Sequence, residues 1–131
     1  MEQIIKRNLS NLKKVLYINA LFSASSGLIF ILFYQFLSQF IGLEQPLILL
    51  FIGAGLILFA LNIVFQASKE QPDLKQVKGI IIQDWLWVIG SFILIIFPPF
   101  PITKMGYFLI INVAVIVSVL AFLQGRFLRS L

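Results

Sequence analysis

Cysteine and histidine are both absent from this chain of 131 residues. Without cysteine there is no disulfide, no thiolate nucleophile and no Cys-ligated metal. Without histidine the usual general base, the imidazole metal site and the His-ligated haem are excluded as well. Acidic residues are scarce: only five occur, and Glu2, Glu44, Glu70 and Asp73 lie outside the long apolar runs. Asp84 is therefore the one acid inside such a run. No nucleophile–base pair is visible, and the chain reads as non-enzymatic, with no metal and no cofactor.

What is abundant is apolar surface. Hydrophobic residues make up 60% of the chain and charged residues 11%, against roughly 25% charged in soluble domains. A single domain of this size cannot hide that much apolar surface from water. The surplus is expected to face lipid.

Four apolar runs are long enough to cross a bilayer core as helices, which takes about 20 residues. They cover approximately 15–36, 46–67, 79–97 and 105–123. Pro46 suits the first turn of the second run, and Pro98-Pro99 stop the third. Backbone groups in lipid must bond within their own segment, and period-2 alternation, the mark of a barrel, is missing. The expected fold is an all-α, four-transmembrane-helix bundle with short loops, forming one domain over 1–131. The first run loosely resembles a signal peptide around Ser23-Ala24-Ser25, but it continues well past that point and is read as an uncleaved helix.

Ahead of it, Ile5, Leu9 and Leu12 share one helical face, while Lys6, Lys13 and Lys14 lie on others. Residues 2–14 can form a separate interfacial helix attracted to anionic lipid, or simply extend the first span.

The net charge of +5 does not point to nucleic acid, because the basic residues flank apolar runs instead of forming a stripe. It reports topology. Lys6, Arg7, Lys13, Lys14, Lys69, Lys75, Lys78, Arg126 and Arg129 lie on one side and Lys104 alone on the other. The positive-inside rule then places both termini in the cytoplasm, most simply of a bacterial inner membrane. Tyr17, Trp85 and Trp87 toward one boundary, with Tyr34, Phe97 and Tyr107 toward the other, fit aromatic belts.

A shift of 65 residues places Asn19 on Asp84, Ser26 on Ser91 and Ile31 on Ile96, and a slightly different one places Gln66 on Gln124. Two parallel helical-hairpin repeats would give that pattern.

Polar side chains inside the runs are few and share one depth. Asn19, Asn62, Gln66, Gln83, Asp84 and Gln124 all fall within ~10 Å of the inner boundary at 1.5 Å per residue. Asn62 and Gln66, at i and i+4, are read as sharing a face. A carboxylate at Asp84 must find the bundle interior, water or a donor. It either binds a proton, cation or small solute, or fixes helix register. Ala20, Ser23, Ala24 and Gly27 form a small-residue stripe for close packing, with Gly90-Ser91 and Gly53-Ala54-Gly55 as facing surfaces. Asn112 is expected to bond another helix of the bundle or another chain.

In size and helix count the chain resembles small multidrug resistance transporters, dimers of short four-helix proteins. That family uses a membrane-embedded Glu in its first helix, whereas no acid occurs between Val15 and Phe36 here. Two functions are thus expected from the residues. One is a scaffold or accessory subunit that meets membrane lipids and either copies of itself or another membrane protein. The other is a small oligomeric transporter or channel built on the polar layer around Asp84.

Overall fold

A computed structural model describes residues 1–131. It contains five helices and no strands: α1 Glu2–Leu32, α2 Tyr34–Ile41, α3 Leu47–Ser68, α4 Leu74–Ile96 and α5 Lys104–Arg129. All but α2 are long and apolar enough to cross a membrane. An even number of crossings returns the chain to the side on which it began, here called the terminal side.

Local chemistry sets most of the ends. Asp73 caps α4 by accepting from the Lys75 N–H at 3.0 Å, and Thr103 caps α5 by accepting from the Gly106 N–H at 2.9 Å. These side-chain oxygens satisfy amides that have no intrahelical partner. At the other end of α2, Gly42 takes φ +94°, and the N–H groups of Gly42 and Leu43 both donate to the Ser38 carbonyl at 2.9 and 2.8 Å. Glycine is the residue that adopts this left-handed closure without strain.

Both ends of the first span are settled by packing. Of the two readings of residues 2–14, the extension is the one formed: they are the first turns of α1, which runs unbroken for 31 residues. The reason is packing: Leu12 is fully buried beside Leu16, Ile63, Ala67, Val77 and Ile80, and Lys13 Nζ donates to the Glu70 carbonyl at 3.0 Å. At the far end the first run stops at Leu32, where Phe33 (φ −120°, ψ 31°) breaks the helix and α2 begins. Neither proline nor glycine marks this break. It lets α2 turn onto the start of α5, where the Thr103 N–H donates to the Ile41 carbonyl at 3.0 Å and the Thr103 hydroxyl to that of Phe40.

The four long helices pair as two hairpins, α1 with α3 and α4 with α5, joined along α1 and α5. Gly27 and Gly53 meet where α1 crosses α3. A methyl group on Gly27 would sit 2.7 Å from the Gly53 carbonyl oxygen, and one on Gly53 would sit 2.8 Å from that of Gly27. α1 and α4 face each other diagonally, and α3 touches α4 only lightly. The core gathers on the terminal side. Val77, Ile80 and Asp84 are the buried residues of α4, and no residue from Trp85 to Ile96 is buried.

Candidate functional site

The diagonal between α1 and α4 is bridged by side chains. Asn19 Nδ2 donates to Asp84 Oδ2 at 2.8 Å and to Gln124 Oε1 at 2.9 Å, and Gln124 Nε2 donates to the same Asp84 oxygen at 2.8 Å. Ser23 Oγ donates to Asn19 Oδ1 at 3.3 Å. The relative exposures are 1% for Asn19, 4% for Asp84 and 0% for Gln124. Three helices are thus tied by one closed triangle of polar groups on the terminal side of the bundle. Hydrogen bonds to a charged acceptor are worth roughly 1.5–3 kcal/mol each, and the desolvated groups cannot fall back on water.

Asn19 can do this because Ala20, Ser23 and Gly27 keep its face of α1 small and buried. Gln124 reaches Asp84 from the last turns of α5, beside the buried Leu120 and Ala121. Both donated bonds fall on Asp84 Oδ2. Oδ1 accepts none, yet it is not among the sealed unpaired polar atoms, which are Gln66 Oε1 and Trp87 Nε1. Asp84 also lines a cavity of about 380 Å³ between the four long helices.

Asn19, Asp84 and Gln124, out of six residues at a common depth, are brought together. Gln66 is buried (3% exposed) but makes no bond to them. Asn62, one turn away from it, faces outward: positions i and i+4 differ by about 40° around a helix, enough to straddle the edge of the core. Gln83 borders the cavity but is exposed and bonds none of the three.

The packing stripe is realised in part. Ala20, Ser23 and Gly27 are buried and Ala24 is half-buried, with Gly53 as the facing residue. Gly90 is exposed with open space beside it, and the Ser91 hydroxyl bonds back to the Trp87 carbonyl at 2.9 Å. The Gly90 face of α4 therefore packs against no neighbouring helix.

Asn112 departs from the expected bond between helices. Its Nδ2 donates to the Phe108 carbonyl of its own helix at 2.7 Å, and the residue faces out of the bundle. It lies ~12 Å from Lys104 and ~21 Å from Arg126 along α5, well inside a ~30 Å apolar core. Its carboxamide oxygen has no partner within the chain. Periodicity alone could not reveal this, since the outward direction is fixed only once α1 and α4 occupy the other faces of α5.

Groups of His, Cys, Asp or Glu able to hold a metal ion are not formed. Compared with protein-family models, curated proteins and solved structures, the chain matches none.

Proposed function

We propose that this integral membrane protein is a non-enzymatic assembly or accessory subunit that associates through the outer face of α5, with both termini in the cytoplasm of a bacterial inner membrane. The observation that carries this reading is Asn112. Its amide sits in the lipid zone with an oxygen and an N–H unused, and such groups are normally satisfied across a helix–helix contact.

The surrounding residues support it. Met105, Phe108, Asn112, Val115, Val119 and Phe122 follow a 3-4 spacing, all exposed. That is the seam spacing of left-handed helix pairs, in which a single Asn sets register. The outward faces of α3 and α4 offer apolar side chains at matching depth. A second copy is the simplest partner, because a twofold axis along the membrane normal sets Asn112 against itself. The nine-to-one distribution of basic residues supports the orientation.

Native mass spectrometry of protein gently extracted from its own membrane tests the reading. A homo-oligomer supports it, and a stoichiometric second protein supports its accessory form. A lone chain contradicts both.

One observation favours the second reading, transport: Asp84, whose Oδ1 accepts no hydrogen bond, is among the residues that line a cavity. If Asp84 carries a proton, cation or small solute, Asp84→Asn abolishes flux in proteoliposomes; unchanged flux removes that role.

A further inference from the structure

The 3-4 spacing on the outer face of α5 does not stop at Phe122. Continued by four and then three residues, it reaches Arg126 and Arg129, both exposed. The helix holds them in place: Phe127 and Leu128 pack against the cluster that contains Leu12 and Leu16, and α5 stays helical through Arg129. Arg126 lies ~21 Å from Asn112 at 1.5 Å per residue. That is the terminal-side end of the apolar seam, the level of headgroup phosphates for a helix that crosses the bilayer.

A twofold axis that sets Asn112 against itself also sets these arginines against their copies. Paired helix axes lie about 8–10 Å apart. Four guanidinium groups then share one end of the seam, within the ~10 Å over which charges still interact in salt. Nothing on the helix neutralises them, because α5 contains no Asp or Glu. The other acids of that side, Glu2, Glu70 and Asp73, are three against nine basic residues. They belong to the start of α1 and to the α3–α4 connection. Arginine cannot shed its proton, so this end of the seam closes with a counter-anion.

Depth and geometry name the anion. A guanidinium group forms paired hydrogen bonds to phosphate, and at this level the phosphates are those of lipid. The exposed Phe122, one turn further in, gives an acyl chain an apolar wall. We infer that anionic phospholipid of the terminal-side leaflet is part of the α5 interface, its phosphates bridging Arg126 and Arg129 of the two copies. The inference rests on the assembly reading and makes that assembly depend on the charge of the membrane.

Energy transfer between labelled copies of the full chain, diluted in vesicles, tests it. Vesicles of phosphatidylcholine alone are compared with vesicles in which phosphatidylglycerol replaces about one-third of the lipid. Association is expected to be about tenfold tighter with phosphatidylglycerol. The double variant Arg126→Gln, Arg129→Gln is expected to associate equally in both. The double variant Lys75→Gln, Lys78→Gln, exposed on α4 and away from the seam, is expected to keep the native lipid dependence. Equal association of the native chain in the two vesicles overturns the inference and leaves the α5 interface standing. Loss of the lipid dependence in the α4 variant overturns it too, and so does inorganic phosphate that replaces phosphatidylglycerol in phosphatidylcholine vesicles. No association in either vesicle overturns the α5 interface together with the inference.

Discussion

Asn19 Nδ2 lies 2.8 Å from Asp84 Oδ2, joining two residues 65 positions apart on helices whose backbones do not touch. Gln124 closes the contact from α5. The buried carboxylate is thus one of the points at which the two helical hairpins are held together, and the stability of the fold should answer to either amide. Asn19→Ala and Gln124→Ala are each expected to destabilise the protein by about 1–3 kcal/mol, because each leaves a desolvated group without its partner. Asn62→Ala, at the same depth but facing outward, should change stability by less than about 0.5 kcal/mol. Thermal unfolding in one detergent compares the three.

The contact of Gly27 with Gly53 makes a steric prediction. Gly27→Val forces apart two helices whose backbones already touch, and a loss of about 1–3 kcal/mol or more is expected from overpacking. Gly55→Ala should be neutral, since a methyl group there meets nothing within 4 Å. Equal effects at the two positions would mean that α1 and α3 do not cross at Gly27.

Thr103 serves two helices at once, accepting from the Gly106 N–H and donating to the Phe40 carbonyl. Thr103→Val keeps the shape and removes both bonds. A loss of about 1–2 kcal/mol is expected, the range for a missing N-cap, with Thr103→Ser restoring most of it. Thermal unfolding again provides the check.

Asn112→Leu should leave the fold of the single chain unchanged, because the side chain bonds only its own helix. It should weaken association by about 3- to 30-fold, the equivalent of roughly 0.6–2 kcal/mol for a hydrogen bond between membrane helices. Dilution of labelled protein in lipid, followed by energy transfer between copies, measures that change.

The four spans were legible in the sequence because lipid leaves the backbone one solution, and a run of about 20 apolar residues announces it. The polar cluster was legible for a related reason: Asn19, Asp84 and Gln124 stand out against apolar neighbours. Which amides turn inward was not. Asn62 and Gln66 are one turn apart, and Gln83 and Asp84 are adjacent, yet each pair divides between exposed and buried. That division depends on where neighbouring helices sit, which periodicity within one helix does not encode. The break at Phe33 carries neither proline nor glycine and follows from the docking of α2 on α5. The open space beside Gly90 was hidden too, since small residues signal close packing only when a second helix arrives.

The most direct test of assembly through α5 exploits the missing cysteine: any thiol introduced by substitution is the only one in the chain. Val115→Cys lies on the Asn112 face of α5, and Leu58→Cys lies on the outer face of α3, both exposed. Mild oxidation in native membranes should yield a covalent dimer with Val115→Cys and little with Leu58→Cys, because a disulfide forms only where Cβ atoms come within about 4.5 Å. No dimer at Val115, or equal yields at the two positions, would contradict an interface built on α5.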